Sequence, residues 1–349
     1  MLIRENVPLA PLTTLGVGGP AGYFIEATTE NEVAEAVEFA QLQELPLFVL
    51  GGGSNVVVAD SGLSGVVLKI SIGGVSLSKA ADDKLIFDVG AGVEWDSLVK
   101  RTVQANCAGL ECLSGIPGSV GATPVQNVGA YGQDVSQTIM QVRVLERQSL
   151  QVSELSNANC GFGYRSSIFN GRERGRYIIL GVTFAVWRGG KPTLQYPDLQ
   201  KFFRERSGDP SLAEVRDAVR EIRHGKAMLI VPGEDDARSV GSFFKNPIVP
   251  QEIVNELSAR AASLGVQLPS YPAADGFRKI PAAWLVEQAG FCKGYERGRA
   301  GISRKHALAI VNRGGSTAEE IIALKNEIEV RVFEEFGVRL EPEPVFVGF

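Results

Sequence analysis

A chain of 349 residues, 44% hydrophobic and 21% charged, is too long for one hydrophobic core, so we expect an ordinary globular protein of two or three domains. The formal net charge is −5, and no run of lysine and arginine occurs anywhere in the sequence. This charge balance argues against nucleic acid as a partner.

The N-terminal segment, MLIRENVPLAPLTTLG, lacks the apolar region of a signal peptide, and no later stretch contains the roughly 20 apolar residues of a membrane span. We therefore expect a cytoplasmic protein with no membrane partner. The four cysteines lack metal-ligand spacing and are predicted to be small buried hydrophobes. They are Cys107, Cys112, Cys160 and Cys292. His224 and His306 form no pair with an obvious nucleophile, so metal sites and hydrolytic triads are disfavoured.

The first part of the chain predicts a β-α-β unit after an irregular arm. Thr29 and Glu32 form a capping-box pattern before a helix. Short apolar runs at 47–50 and 56–59 flank Gly-Gly-Gly-Ser-Asn, which predicts two strands joined by a turn able to wrap phosphate. This turn lacks the Gly-Lys-Ser/Thr of a P-loop, and Pro20 interrupts an upstream imitation of the Rossmann pattern, so both motifs are rejected.

A β-rich region follows, with strands predicted at 66–70, 85–89, 141–146 and 177–187. A helix between them carries four residues on one face and ends near Gly109; they are Trp95, Leu98, Val99 and Thr102. The stretch from Ser114 to Gly132 contains five glycines and two prolines, a density that predicts a long loop. Its backbone amides suit phosphate or pyrophosphate, and the alternative is a tight, buried crossover between two domains. The upstream triple glycine favours the phosphate interpretation.

The last part of the chain predicts an α+β unit. One helix is expected before this unit, at 211–224, and three within it, at 251–264, 282–289 and 318–336, each with a start or stop signal. Strands are expected at 307–312 and 338–341. The polar segment from Gly233 to Ser239 predicts a linker or surface loop.

Six ordered motifs extend over nearly the whole chain: Thr14-Leu15-Gly16, GGGSN at 51–55, GIPGSVGATPVQNVGAYG at 115–132, GYR at 163–165, GSFFKNP at 241–247 and LEPE at 340–343. In this set the chain resembles the UDP-N-acetylenolpyruvoylglucosamine reductases, and Tyr196 in Tyr-Pro-Asp-Leu resembles their type I members. The resemblance implies an α+β protein, with a PCMH-type FAD-binding fold of two subdomains plus a third α+β substrate-binding domain. The implied boundaries are 1–70 (α/β) and 71–225 (α+β) for the FAD-binding subdomains, 226–340 for the substrate-binding domain, and 341–349 for a tail returning to the active site.

The same resemblance implies FAD as cofactor and NADPH as hydride donor. We expect the FAD to be non-covalent, because covalent members attach it through a histidine or cysteine near a glycine loop and the triple-glycine segment has neither. Cys112 lies close to the glycine loop at 114–132, so it must be checked as an attachment site. The residues implied in FAD binding are Thr14, Leu15, Gly16, Gly51, Gly52, Gly53, Ser54, Asn55, Ile116, Pro117, Gly118, Gly121, Asn127, Gly129, Ala130, Tyr131 and Gly132.

The implied reaction converts UDP-N-acetylglucosamine-enolpyruvate to UDP-N-acetylmuramate for peptidoglycan. NADPH reduces FAD, which passes hydride to the terminal carbon of the enolpyruvyl group, and the resulting carbanion needs charge stabilisation and a proton at its α-carbon. Arg165 matches the family's carboxylate-stabilising arginine, and Glu343 matches its assisting acid. Ser242 matches the proton donor. Because a serine hydroxyl is a poor acid, Lys245 and Asn246 in the same segment are candidate contributors.

Four residues match positions that bind the nucleotide part of the substrate. Lys226 follows a helix end and matches the lysine that meets the diphosphate, and the others contact uridine or phosphate. The full set is Tyr196, Lys226, Asn246 and Gln288. Pro344 departs from the family pattern, where a small hydrophobic residue is commoner, and this departure bears on the backbone beside Glu343.

Two other classes stay open on the sequence. A PCMH-type oxidase acting on sugars or lactones would share the FAD loops, use oxygen, and not need Ser242, Arg165 and Glu343 together. A non-catalytic nucleotide-binding or regulatory module would show no bleaching of bound flavin by NADPH. We expect a monomer whose partners are the substrate and NADPH.

Overall fold

The computed structural model describes residues 1–79, 83–263, 265–273 and 276–349. Helices and strands alternate irregularly along the chain, as expected for an α+β protein. The helices are α1 Glu30–Leu42, α2 Trp95–Gln104, α3 Pro197–Phe202, α4 Leu212–Gly225, α5 Gln251–Ser263, α6 Ala282–Gln288 and α7 Ala318–Phe336. The strands are β1 Ile3–Pro8, β2 Pro20–Ala27, β3 Leu47–Leu50, β4 Val56–Val58, β5 Leu63–Ile70, β6 Val75–Lys79, β7 Lys84–Gly90, β8 Cys107–Ala108, β9 Gly129–Ala130, β10 Gln133–Asp134, β11 Ile139–Glu146, β12 Val152–Ser156, β13 Tyr177–Arg188, β14 Ile248–Pro250, β15 Tyr271–Pro272, β16 Phe277–Lys279, β17 Glu296–Arg297, β18 Ala300–Ile302, β19 Ile310–Asn312 and β20 Val345–Val347.

The contacts divide the chain into two compact units, each made of several segments. Unit 1 comprises Met1–Pro8, Pro20–Ser54 and Gly62–Ile230, and unit 2 comprises Leu9–Gly19, Asn55–Ser61 and Val231–Phe349. Each unit has its own buried hydrophobic core. The three-domain boundaries expected from the sequence remain a prediction.

Unit 1 begins with a four-stranded sheet in the order β1-β2-β5-β3. Strands β2 and β3 both run parallel to β5, so α1 is the crossover between β2 and β3 that the sequence predicts. Helix α1 starts at the predicted capping box, in which Thr29 and Glu32 satisfy each other's backbone N–H groups. Its buried face packs on the sheet and consists of Val33, Ala36, Val37 and Ala40.

The second sheet of unit 1 is antiparallel, in the order β12-β11-β13-β7-β6, and β8 pairs with β13. Helix α2 packs on it through the predicted apolar face, and the buried Trp95 donates from Nε1 to the carbonyl of Leu113 at 3.0 Å. This helix ends at Gln104 rather than near Gly109. The reason is that Asn106 takes a left-handed φ of 54°, after which the chain joins the sheet as β8.

Unit 2 combines two three-stranded antiparallel sheets, β14-β16-β15 and β17-β18-β19, with a parallel pair formed by β20 and β4. Helix α7 begins at the capping box of Thr317 and Glu320 and ends at Gly337, which has a φ of 64°. Among the described residues, no helix of either unit is long and apolar enough to cross a bilayer. The predicted end of α5 at Leu264 lies outside the described residues.

Two strand predictions in unit 2 are wrong in their bounds. The final strand is Val345–Val347 and not 338–341, because Val338 and Leu340 are buried in the core while the later residues pair with β4. The strand predicted over 307–312 begins only at Ile310. Residues 306–309 form a turn instead, in which the Ala309 N–H donates to the carbonyl of His306 at 3.2 Å.

Two predictions about exposure also need correction. The segment from Gly233 to Ser239 is not simply a solvated linker, because it contains a short 3₁₀ helix whose Asp236 is 9% exposed. The Asp236 carboxylate accepts hydrogen bonds at 3.0 Å from Ser303 Oγ and at 2.8 Å from the Arg304 N–H. Three of the four cysteines are buried as predicted, but Cys292 is exposed.

Candidate active site

Two glycine-rich loops of unit 1 pack backbone against backbone: the first loop is at 51–54 and the second loop is at 114–132. A Cβ atom on Gly52 would stand 2.6 Å from the Gly118 Cα and 2.9 Å from its carbonyl carbon, so no side chain fits there. The hydroxyl of Ser54 donates to the carbonyl of Pro117 at 3.0 Å and ties the loops together. Gly53 and Gly118 have φ values of 66° and 123°, which favour glycine. Such a cradle of side-chain-free backbone fits a pyrophosphate of the kind FAD carries.

The start of the second loop, at Gly115, is fixed by a charged hydrogen-bond network around Asp96. The Asp96 carboxylate accepts hydrogen bonds from the Gly115 N–H at 2.6 Å and from Arg216 and Arg220 at 2.7 Å each. Burial opposes ionisation, but the hydrogen bonds from Arg216 and Gly115 and the two positive charges hold the pKa of Asp96 below its usual value. The loop therefore begins at a fixed point on α2 and α4.

A buried arginine lies beside this anchor. Arg223 donates from Nε to the carbonyl of Gly115 at 3.1 Å and from Nη2 to the carbonyl of Met228 at 2.5 Å. Burial lowers the pKa of Arg223, and the charges of Arg165 and Arg220 act in the same direction. Arg165, Arg220 and Arg223 are thus close enough for their charges to interact, and Asp96 partly compensates them.

The turn that carries Arg165 is tied to the second glycine loop. The buried Asn127 donates from Nδ2 to the carbonyl of Gly163 at 3.1 Å. Gly163 and Ser166 exchange backbone hydrogen bonds around a two-residue turn, in which Arg165 has a φ of 52°. A left-handed arginine is strained, and Asn170 supports it by donating to the Arg165 carbonyl at 3.1 Å. The sequence motif identified Arg165 but gave no sign of this conformation.

Tyr196 and Lys226 lie together in unit 1. The Tyr196 ring meets the Tyr131 ring edge to face, with centroids 5.2 Å apart, and Tyr196 remains 41% exposed. The ammonium of Lys226 lies 5.8 Å from the Tyr131 ring centroid and donates to Asp198 at 2.5 Å. Burial raises the pKa of Tyr131. These contacts place one predicted cofactor residue beside two predicted substrate residues.

Ser242 and Glu343 belong to adjacent segments of unit 2. The Glu343 N–H donates to the carbonyl of Phe243 at 2.9 Å, and Phe244 forms an antiparallel bridge with Pro342. Lys245 pairs with Glu341 by a salt bridge on the same two segments. Lys245, a predicted contributor to the Ser242 site, is thus engaged by a carboxylate.

Asn55 and Pro344 lie on either side of Glu343. Asn55 donates from Nδ2 to the Glu343 carbonyl at 3.2 Å, and its own carbonyl accepts from the Val345 N–H at 2.9 Å. Pro344, which departs from the family pattern, therefore lies between the Glu343 carbonyl and the Val345 N–H, both of which Asn55 holds by hydrogen bonds. Because proline has no N–H, the chain pairs with β4 only from Val345 onward.

His306 was missed by sequence reasoning. Its Nε2 lies 3.3 Å from the hydroxyl of Ser242, 64 positions earlier in the chain. The prediction that neither histidine pairs with an obvious nucleophile is wrong for His306. The separation is long-range, and the local sequence around His306 carries no signal for it.

The remaining predicted residues of unit 2 lie in two further places. Thr14 donates from Oγ1 to the carbonyl of Ser239 at 2.6 Å, and Asn312 Nδ2 donates to the carbonyls of Leu15 at 3.0 Å and Gly16 at 3.3 Å. These contacts fix the Thr14-Leu15-Gly16 motif beside the segment that leads to Ser242.

Asn246 and Gln288 lie at opposite ends of α6. The side-chain oxygen of Asn246 accepts from the Ala282 N–H at 2.9 Å and so caps the helix that Gln288 ends. Gln288 is exposed. The two residues are therefore positioned by one element, although Asn246 also has a structural role that the sequence did not indicate.

The glycine cradle and the two-sheet architecture of unit 1 define the class of protein. A family model described as FAD binding domain matches residues 21–151, within the part of the chain that contains both loops. The chain is an FAD-dependent enzyme with an α+β, PCMH-type FAD-binding fold. A second model, described as UDP-N-acetylenolpyruvoylglucosamine reductase, C-terminal domain, matches residues 232–347.

Whole-chain comparisons specify the family. The chain is 46% identical to the UDP-N-acetylenolpyruvoylglucosamine reductase of Thermobifida fusca, over 99% of this chain and 98% of that protein. It is 45% identical to the reductase of Streptomyces coelicolor, over 99% of this chain and 90% of that protein. The crystal structure of the Thermus caldophilus reductase superimposes with a TM-score of 0.67 at 26% identity, over 99% of this chain and 100% of that one. The chain belongs to the UDP-N-acetylenolpyruvoylglucosamine reductase family.

Membership confirms the predicted activity. The activity is that of a UDP-N-acetylmuramate dehydrogenase, in which NADPH reduces FAD and hydride passes to the enolpyruvyl group of the substrate. The product is a precursor of peptidoglycan. The oxidase and the non-catalytic module are excluded as alternatives.

Proposed function

We propose that Ser242, Arg165 and Glu343 carry the chemistry of this reduction. Bound FAD supplies the hydride for the terminal carbon of the enolpyruvyl group. Arg165 stabilises the negative charge that then develops on the substrate carboxylate, because a guanidinium fork matches a carboxylate. Glu343 assists this stabilisation and the handling of protons. The hydroxyl of Ser242 gives a proton to the α-carbon and completes the addition.

One observation supports the assignment of Ser242 and Glu343 to the same site. The backbone hydrogen bond from Glu343 to Phe243, next to Ser242, joins two segments that are 101 positions apart when counted from residue 242 to residue 343. Phe243 and Phe244, at 0% and 2% exposure, anchor the first segment in the core of unit 2. A rigid backbone on both sides supports the assignment of a proton donor and an acid to one site.

We further propose roles for the binding residues. Lys226 and Tyr196 hold the diphosphate of the substrate, because an ammonium group and a phenol hydroxyl can both donate to phosphate oxygens. Asn246 and Gln288 contact the nucleotide from the two ends of α6. The glycine loops and Thr14-Leu15-Gly16, together with Asn55 and the other residues that the family resemblance implies, hold FAD.

The experiment that tests the proposal separates the two halves of the reaction. Ser242→Ala should be reduced by NADPH at a near-normal rate, because a proton donor to the substrate takes no part in that step. Its reoxidation by the enolpyruvyl substrate should slow by about 10² to 10⁴-fold, the usual contribution of general acid catalysis. Anaerobic stopped-flow absorbance at the flavin band measures each rate.

The control variant is Ser242→Cys, which should recover part of the second half-reaction because a thiol is a more acidic donor. If the alanine variant is reoxidised as fast as the natural protein, Ser242 has no part in the mechanism. If both half-reactions slow together, the serine instead supports the flavin pocket.

We also propose that FAD is bound without a covalent link. Cys112, which precedes the loop at 114–132, is fully buried, and its thiol contacts the carbonyl of Thr193 at 3.3 Å. Burial raises the pKa of the Cys112 thiol, which suppresses the nucleophilic thiolate. Acid precipitation should release all of the flavin into the supernatant, and yellow colour in the pellet would contradict the proposal.

Location and assembly complete the proposal. We infer that the protein acts in the cytoplasm, where NADPH and nucleotide sugars are made, as a monomer with no nucleic acid or membrane partner. Its net charge of −5 supports the absence of a polyanion-binding surface. Light scattering coupled to gel filtration should give one chain per particle, and a dimer mass would contradict the monomer.

A further inference from the structure

The hydroxyl of Ser242 has a neighbour that the family resemblance did not assign. His306 Nε2 lies 3.3 Å from Ser242 Oγ, and both side chains are half-buried. The backbone holds the two residues in register, because the Phe243 N–H donates to the carbonyl of Leu308 at 2.8 Å. The contact therefore joins two fixed segments.

The turn that carries His306 is itself anchored. The Ser303 N–H donates to the carbonyl of Ala309 at 2.9 Å and closes the turn. Asp236 holds its start through hydrogen bonds from Ser303 Oγ at 3.0 Å and from the Arg304 N–H at 2.8 Å. The backbone that carries His306 is therefore held at both ends of the turn.

Three charged groups close to this pair in the chain or in the fold have partners of their own. Lys305 lies 3.2 Å from Glu234, and Lys245 forms a salt bridge with Glu341. Asp236 is used by the turn, as described above. The Ser242 hydroxyl is in contact with an imidazole, the side chain whose ordinary pKa lies closest to neutrality.

We propose that His306 is a positioning residue that orients the Ser242 hydroxyl and restores its proton. The proton of the Ser242 O–H goes to the α-carbon of the substrate, and the Nε2 proton of a His306 imidazolium goes to the serine oxygen, which leaves a neutral imidazole. His306 then takes a proton from water, so the site returns to its initial state. This inference rests on the proposed role of Ser242 and explains how a poor acid donates a proton near neutral pH.

The first test needs no catalysis. In Ser242→Cys, the imidazole should promote ionisation of the introduced thiol in the FAD-loaded protein, so iodoacetamide should alkylate that thiol faster than it does in Ser242→Cys/His306→Gln. The expected ratio is about tenfold, which corresponds to one unit of thiol pKa. The exposed Cys292 in the same molecules is the internal reference, because its alkylation rate should not change. Equal rates at position 242 in the two variants would overturn the contact.

The second test separates this inference from the proposed function. His306→Gln should keep a near-normal reductive half-reaction, which also shows that the variant is folded and holds FAD. Its oxidative half-reaction should slow by roughly 10 to 10²-fold. The double variant Ser242→Ala/His306→Gln should be no slower than Ser242→Ala alone, because His306 acts through the serine.

Each outcome has a distinct meaning. A slow Ser242→Ala with a normal His306→Gln overturns the role of His306 and leaves the proposed function intact. A normal Ser242→Ala overturns the proposed function and this inference with it. Additive losses in the double variant would show that His306 acts independently of the serine and would also overturn the inference.

Discussion

The glycine loops of unit 1 and the Ser242 segment of unit 2 solve the problem of building a site in opposite ways. At the loops, Gly52 and Gly118 approach so closely that a Cβ would stand 2.6 Å from the facing Cα. At the serine, the important partners are the side chain of His306 and the backbone around Glu343, which come from distant parts of the chain. One site is made from the absence of side chains, and the other from their long-range arrangement.

This difference decides what each site tolerates. A backbone cradle depends on sterics, so any added atom disturbs it whatever its polarity. A side-chain site depends on particular functional groups, so a change of similar volume removes its chemistry and leaves its shape. The two regions should therefore respond to substitution with different phenotypes, namely loss of cofactor and loss of one chemical step.

The largest effect expected from the cradle is that of Gly52→Val. Its branched side chain would collide with the Gly118 backbone and force the two loops apart, at a cost of about 3 kcal/mol. This corresponds to roughly 10²-fold weaker FAD binding, measured by flavin fluorescence during titration of the apoprotein.

The matched control is Gly73→Val, because a Cβ at Gly73 would have no atom within 4 Å. It should bind FAD as tightly as the natural protein. Tight FAD binding by Gly52→Val would show that the loops are adaptable and would remove the contrast between the two sites.

The same difference explains what could be predicted from the sequence. The glycine loops were identified because a run of glycine and proline has a local meaning. The helices that begin at capping boxes, such as that of Ser211 with Glu214, were also predictable, because the two residues of the box lie within one turn. These features depend on neighbours in the sequence and need no knowledge of the fold.

The errors arose where a distant partner decides the structure. The last strand forms at Val345–Val347 because these residues pair with β4, whereas the equally apolar Val338 is buried in the core. The contact of His306 with Ser242 and the capping of α6 by Asn246 likewise join residues far apart in the sequence. No local pattern contains such information, so only the family motif identified the serine.

A smaller effect is expected at the charged anchor of the second loop. The Asp96 side chain is only 19% exposed and forms ion pairs with Arg216 and Arg220. Asp96→Asn removes both pairs and should lower the free energy of unfolding by about 2 kcal/mol. Urea unfolding at pH 7 measures the change. Asp209→Asn is the control, since its pair with Lys191 is exposed at 72% and 85% and should contribute almost nothing.

The pH dependence of this effect has a definite sign. The folded pKa of Asp96 is below the ordinary value of 3.8, so its ionised form stabilises the fold at every pH above that value. The contribution is lost as the pH falls through the folded pKa. The difference between the natural protein and Asp96→Asn should therefore be constant from pH 5 to pH 7 and shrink below about pH 4. A difference that persists at the lowest pH would assign the effect to packing rather than to charge.

The smallest expected effect tests whether Tyr196 belongs with the cradle or with the substrate. Tyr196→Phe keeps the ring that packs edge to face on Tyr131 and removes only the hydroxyl. If that hydroxyl binds the diphosphate, substrate affinity should fall about three- to tenfold, the worth of one hydrogen bond, while reduction by NADPH is unchanged. Tyr271→Phe, at a tyrosine that is 52% exposed, should change neither quantity. Substrate titration and stopped-flow reduction of both variants measure these quantities. If Tyr196→Phe damages both half-reactions equally, this tyrosine belongs to the flavin pocket, with the glycine loops, and not to the substrate site.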